Sequence, residues 1–102
     1  MTFKIRLKTG FFKTQPYYLT IGQGQIILTP QEDMEKGRLI ISEADLQSVC
    51  ITRQQLSAGE LEIITRSGAC VGIFSDETDL EEVSSVFSRE FGPKLIFQQG
   101  LH

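Results

Sequence analysis

The residues best placed to do chemistry are four cations near the start of the chain. Lys4, Arg6 and Lys8 alternate with Phe3, Ile5 and Leu7, and Lys13 follows after Gly10-Phe11-Phe12. Side chains at i, i+2 and i+4 of a strand share one face, so three positive groups form a row that can meet phosphates or an acidic peptide. The net charge of −3 divides into +4 over the first thirteen residues and −7 over the rest. The same row also reads as a solvated strand face that pairs with the acidic remainder or discourages edge aggregation.

Five of the nine aromatic residues, Phe3, Phe11, Phe12, Tyr17 and Tyr18, fall within the first eighteen positions. Neighbouring side chains of an extended segment face opposite ways, so one of Phe11 and Phe12 must point away from a core. Beside Lys8 and Lys13 such a ring can enter a lipid interface or a partner's pocket, with Tyr17 as a further interaction aromatic. The competing reading is that Gly10 marks a bulge or turn that folds both rings inward.

Other reactive side chains are poorly placed for catalysis. Serines are numerous, but a nucleophile needs a base, and the one histidine, His102, is terminal. Cys50 and Cys70 lie twenty residues apart with no CxxC, so neither a zinc site nor a redox pair can be built, and a reducing compartment fits them. Asp76, Glu77, Asp79, Glu81 and Glu82 lack calcium-loop spacing and suit a helix N-terminus. Gly22-Gln23-Gly24 opens onto a strand, so the phosphate-cradling logic of a loop leading into a helix fails. We therefore expect no catalytic residue, no metal, no cofactor and no small-molecule substrate.

At 102 residues, 40% of them apolar and 23% charged, the chain has the makeup of a single globular domain with a core that needs no staples. A pI near 5.1 argues against a nucleic-acid binder driven by phosphate neutralisation. The first residues interleave charges with apolar side chains, unlike a secretory signal, and no apolar run approaches the roughly 18 residues of a membrane span. The expectation is a cytoplasmic domain, or a soluble piece of a larger chain.

The elements that must carry these residues are mostly strands. Phe3 to Leu7 alternates with period two. YYLTI and QIILT flank Gly22-Gln23-Gly24 as a hairpin with a three-residue loop. RLIIS and DLQSVCITR follow the polar QEDMEKG, and Gln54 to Gly59 reads as a turn. LEIITR and ACVGIF, joined at Ser67-Gly68, form a second hairpin with Ala69, Val71 and Ile73 on one face. TRSGACVGIF is β-prone and weakly charged; it is either an exposed edge open to a partner strand or an internal strand already paired.

From residue 78 the period changes. Leu80, Val83, Val86, Phe87 and Phe91 recur at spacings of three and four, Thr78 and Glu81 have capping-box spacing, and Gly92-Pro93 supplies a stop. The spacing predicts a helix over 78–91. The tail KLIFQQGLH either adds a short extended piece or frays.

Six or seven strands followed by one amphipathic helix resemble the pleckstrin-homology-like superfold, in particular its small GRAM-like and bacterial PH-like branches. The resemblance rests on YYLTIGQGQIILT, ISEADLQSVCI and GELEIITRSGACVGIFSDETDLEEVSSVF, and covers about residues 3 to 91. No tryptophan stands in the helix, where many eukaryotic PH domains carry one.

The resemblance implies a single α+β domain over 1–102: a strongly bent antiparallel sheet or partly open barrel of about seven strands over 3–74, capped by the helix. In PH domains that bind phosphoinositides, the first strand and its following loop hold the headgroup, and Lys4, Arg6, Lys8 and Lys13 are loosely similar. PTB-like relatives accept a peptide by strand addition. The implied function is a non-catalytic interaction module for a protein partner or a second copy of itself. The alternative is peripheral binding to anionic membrane through the basic strand.

Overall fold

The computed structural model describes residues 1–32, 37–54 and 58–99. In chain order the strands are β1 (Thr2–Lys8), β2 (Thr14–Gly22), β3 (Gln25–Pro30), β4 (Leu39–Ser42), β5 (Leu46–Arg53), β6 (Glu60–Thr65) and β7 (Gly68–Phe74). Helix α1 (Leu80–Phe91), a 3-10 turn (Gly92–Lys94) and β8 (Leu95–Gln99) follow. Alternation explains most strands: Ile5 and Leu7 of β1, Tyr17, Leu19 and Ile21 of β2, and Leu61 and Ile63 of β6 are buried while their neighbours face outward.

The strands form one sheet in the order β4-β3-β2-β1-β7-β6-β5-β8. Every pairing is antiparallel except β5 with β8. The sheet does not close, so β4 and β8 are its edges. Helix α1 contacts both β2 and β5, which stand four inter-strand spacings apart. Laid flat, that is about 19 Å, wider than a helix, so the sheet must bend around α1. Leu80, Val83, Val86, Phe87 and Phe91 fill the concave side, as their spacing predicts. Burying such side chains contributes roughly 1.5 to 3 kcal/mol each, so the helix holds the domain together.

Several expectations need correction. Eight strands form among the described residues, one more than expected, because the tail takes the first of its two readings: Leu95–Gln99 is a short extended piece that pairs parallel with β5 as β8. The β2–β3 loop has two residues, since Gly22 already pairs with Gln25; Gln23 and Gly24 both take positive φ (55° and 71°), as this tight turn demands. Helix α1 begins later than 78: Asp79 is its N-cap and accepts from the Glu81 and Glu82 backbone N–H groups at 3.0 and 3.3 Å. Thr78 instead exchanges a hydrogen bond with Ser75.

β7 is internal, held between β1 and β6, so TRSGACVGIF offers no free edge. Ala69, Val71 and Ile73 do share a face, but it is the outer one; Gly72 and Phe74 face the core. Gly72 sits at a close approach: a Cβ there would lie 2.6 Å from Ile5 Cδ1 and 3.1 Å from Leu7 Cδ2, so those buried side chains would have to shift. Parts of the QEDMEKG loop and of the 54–59 turn, and His102, lie outside the described residues.

Candidate interaction surface

The β1–β2 connection projects the most exposed apolar groups. β1 and β2 pair from Thr2↔Thr20 to Lys8↔Thr14, and the Thr9 N–H donates to the Lys13 carbonyl at 3.0 Å, closing a loop with Gly10, Phe11 and Phe12 at its tip. Phe11 is 101% exposed and Phe12 99%. Their ring centroids stand 6.3 Å apart, tilted by 41°. The chain turns here, so strand parity does not apply and both rings face solvent. The apolar tip carries no core contact that would explain two phenylalanines.

Of the four cations, Lys8 and Lys13 stand at the base of this loop, and Arg6 and Lys4 lie progressively further along β1. Lys4, Arg6 and Lys8 lie on the outer face of β1, and Lys13 stands where the loop rejoins β2; all four are exposed. The row is partly committed within the chain: Arg6 Nε donates to Thr14 Oγ1 at 2.9 Å, and Lys8 Nζ lies 3.5 Å from Glu60 Oε1. Pairing with the acidic remainder, one of the two readings of the row, thus holds for Lys8.

Tyr17 does not join them. It is buried in phase with Leu19 and Ile21, while Tyr18, registered to Lys4, is the tyrosine that faces outward. The parity of β2 contains that signal.

A second concavity of about 490 Å³ runs between α1 and β8. Leu95 and Phe97 line its strand side, and Ser84, Ser85 and Ser88 its helix side. Arg53 closes over it, 3.7 Å from Glu81 Oε1 and 5.7 Å from the centre of the Phe97 ring. The Ser84 hydroxyl is buried without a hydrogen-bond partner. The groove thus lies beside β8, because β8 already takes the edge of β5. On the outer face Gln98 Nε2 donates to Cys50 Sγ at 2.9 Å. Cys70 is half-buried, and desolvation raises its thiol pKa, which disfavours the reactive thiolate. The acidic run has a local role through Asp79, which caps the helix.

No protein-family model matches the chain, and no curated protein matches it in sequence. Among solved structures it is similar to a chain of the Spt16D Pob3N heterodimer, with a TM-score of 0.73 and 14% sequence identity. The likeness covers 100% of this chain and 56% of that one, so the chain spans about half of its structural neighbour's length. With the bent, unclosed sheet and single capping helix, this establishes a pleckstrin-homology-like α+β fold.

Proposed function

We propose that the domain is a non-catalytic, cytoplasmic PH-like interaction module that docks onto a protein partner through the Phe11–Phe12 hairpin and its lysines. The observation that carries this reading is the near-complete exposure of both rings on a hydrogen-bonded hairpin. Exposed aromatic pairs on a rigid support act as anchors, since they bury large area at small entropic cost. Lys8 and Lys13 beside them favour an acidic rim around the receiving pocket. The structural neighbour is itself half of a two-chain assembly, which accords with the reading. A helix without tryptophan moves the reading away from the phosphoinositide-binding branch.

A second reading rests on the same hairpin plus the basic row: insertion of Phe11 and Phe12 into an anionic membrane, with Lys4, Arg6, Lys8 and Lys13 at the headgroups. One experiment separates the two. Wild-type protein and the Phe11→Ser/Phe12→Ser variant are compared in pull-downs from native extract and in sedimentation with phosphatidylserine vesicles at low and high salt. A protein retained by wild type and lost with the variant, without vesicle pelleting, supports docking. Salt-sensitive pelleting that needs the two rings replaces docking with the membrane reading.

A further inference from the structure

The outer face of the sheet is sorted by charge in columns. Arg6 of β1 and Glu60 of β6 are both registered to Ile73 of β7, so the three form one row across the strands. Lys8, two residues along β1, continues toward Val71, which is registered to Glu62. A basic column on β1 and an acidic column on β6 thus flank an apolar column on β7, with Val71 and Ile73 half-buried and Arg6, Lys8 and Glu62 exposed. Side chains in such columns stand about 4.8 Å apart from strand to strand.

This arrangement is self-complementary about one axis only. A two-fold axis parallel to β7, placed above the face, exchanges left and right but keeps each row. The Lys8–Glu60 pair within each chain, at 3.5 Å, is then exchanged for pairs between copies: Arg6 of one copy meets Glu60 of the second, Lys8 meets Glu62, and Ile73 and Val71 meet their own counterparts. A two-fold in the same plane but across the strands would set cation on cation. The geometry points to this outer face as a contact between two copies of the chain, a surface that shares Lys8 with the docking hairpin but not its Phe11–Phe12 tip.

The acidic side is shaped to receive long side chains. Glu60, Glu62, Cys50, Thr52, Val71 and Gln98 line a depression of about 290 Å³ on this face. An incoming Arg6 or Lys8 has space beside the carboxylates there. Sheets packing face to face keep their strands within about 30° of each other, which a two-fold along β7 permits. The matched patch is only three strands wide, small beside the roughly 800 Å² per partner of a stable complex, so association is weak and depends on salt. Isologous contacts of this kind close at two copies.

The test is sedimentation equilibrium of the whole chain at about 20 mM and about 500 mM NaCl, between which the screening length falls from roughly 20 to 4 Å. We expect a monomer–dimer equilibrium at low salt whose dissociation constant rises at least about tenfold at high salt. Arg6→Glu/Lys8→Glu and Glu60→Lys/Glu62→Lys should each be monomeric alone, because like charges then face each other. Mixed one to one, the two variants should form a heterodimer. Phe11→Ser/Phe12→Ser should leave the dimer unchanged, which separates this contact from hairpin docking. Circular dichroism on each variant checks that it is folded, and a pair of single-row variants (Arg6→Glu with Glu60→Lys) repeats the exchange if a double variant is not. A wild-type chain that stays monomeric at low salt, a dimer indifferent to the charge reversals, or variants that fail to pair when mixed would each overturn the proposal.

Discussion

Lys8 of β1 reaches over β7 to bring its ammonium within 3.5 Å of a Glu60 carboxylate oxygen on β6, two strands away. Both side chains are about half exposed, so the pair is screened by water and salt. We predict that Lys8→Ala lowers stability by less than about 1 kcal/mol, read as a small shift of the urea midpoint. A loss of several kcal/mol would mean that the pair does more than organise surface charge.

The helix should behave as core. Phe87 is fully buried in α1 against the bent sheet, so Phe87→Ala should cost about 3 to 5 kcal/mol, and a chain ending at Ser75 should not fold. A truncated chain with native-like circular dichroism and a cooperative transition would remove α1 from the core.

The cap assignment separates two neighbouring residues. Asp79 receives two backbone N–H groups, whereas the Thr78 hydroxyl bonds Ser75. Asp79→Ala should therefore cost about 1 kcal/mol, and Thr78→Ala distinctly less, in parallel thermal or urea unfolding. The reverse order would restore the capping box that the spacing of Thr78 and Glu81 suggested.

Much of the fold is legible in the sequence because one face of each element is apolar and the other polar. Ile5 and Leu7 against Lys4, Arg6 and Lys8 define β1, and the spacing of Leu80, Val83, Val86, Phe87 and Phe91 defines α1. Residues 69–74 carry no such contrast, being apolar or glycine throughout, so parity cannot say that Cys70, Gly72 and Phe74 turn inward. β8 escapes because LIFQQ is short and its partner, β5, lies more than forty residues earlier. The Phe11–Phe12 pair stands out by type, yet the exposure of both rings follows from a turn that parity does not describe. The rows across β1, β7 and β6 depend on strand register, which no local pattern contains.

Gly72 offers a packing test on the same strand. A Cβ there would press on Ile5 and Leu7, both buried, so Gly72→Val should destabilise by about 1 to 3 kcal/mol. Gly24→Val, in a turn where nothing lies within 4 Å of a Cβ but φ is 71°, should instead act through backbone strain. Pairing Gly72→Val with Ile5→Val should recover part of the loss only at position 72. Recovery at both positions, or at neither, would contradict the packing account.

Thiol chemistry gives an independent check on burial. Desolvation raises the Cys70 pKa, so the thiol stays protonated at neutral pH and its alkylation should be slow and should accelerate as pH rises above the ordinary thiol range. Rapid alkylation of Cys70 at pH 7 would show that the inner side of β7 is open to water.

The most direct test of the docking hairpin places a photo-crosslinking benzoylphenylalanine at position 11 or 12 in cells that express the chain natively, with the same residue at exposed Ser85 of α1 as control. Docking predicts one discrete protein adduct from positions 11 and 12 and none from 85. Adducts confined to lipid, or no adduct from either phenylalanine position, would contradict it.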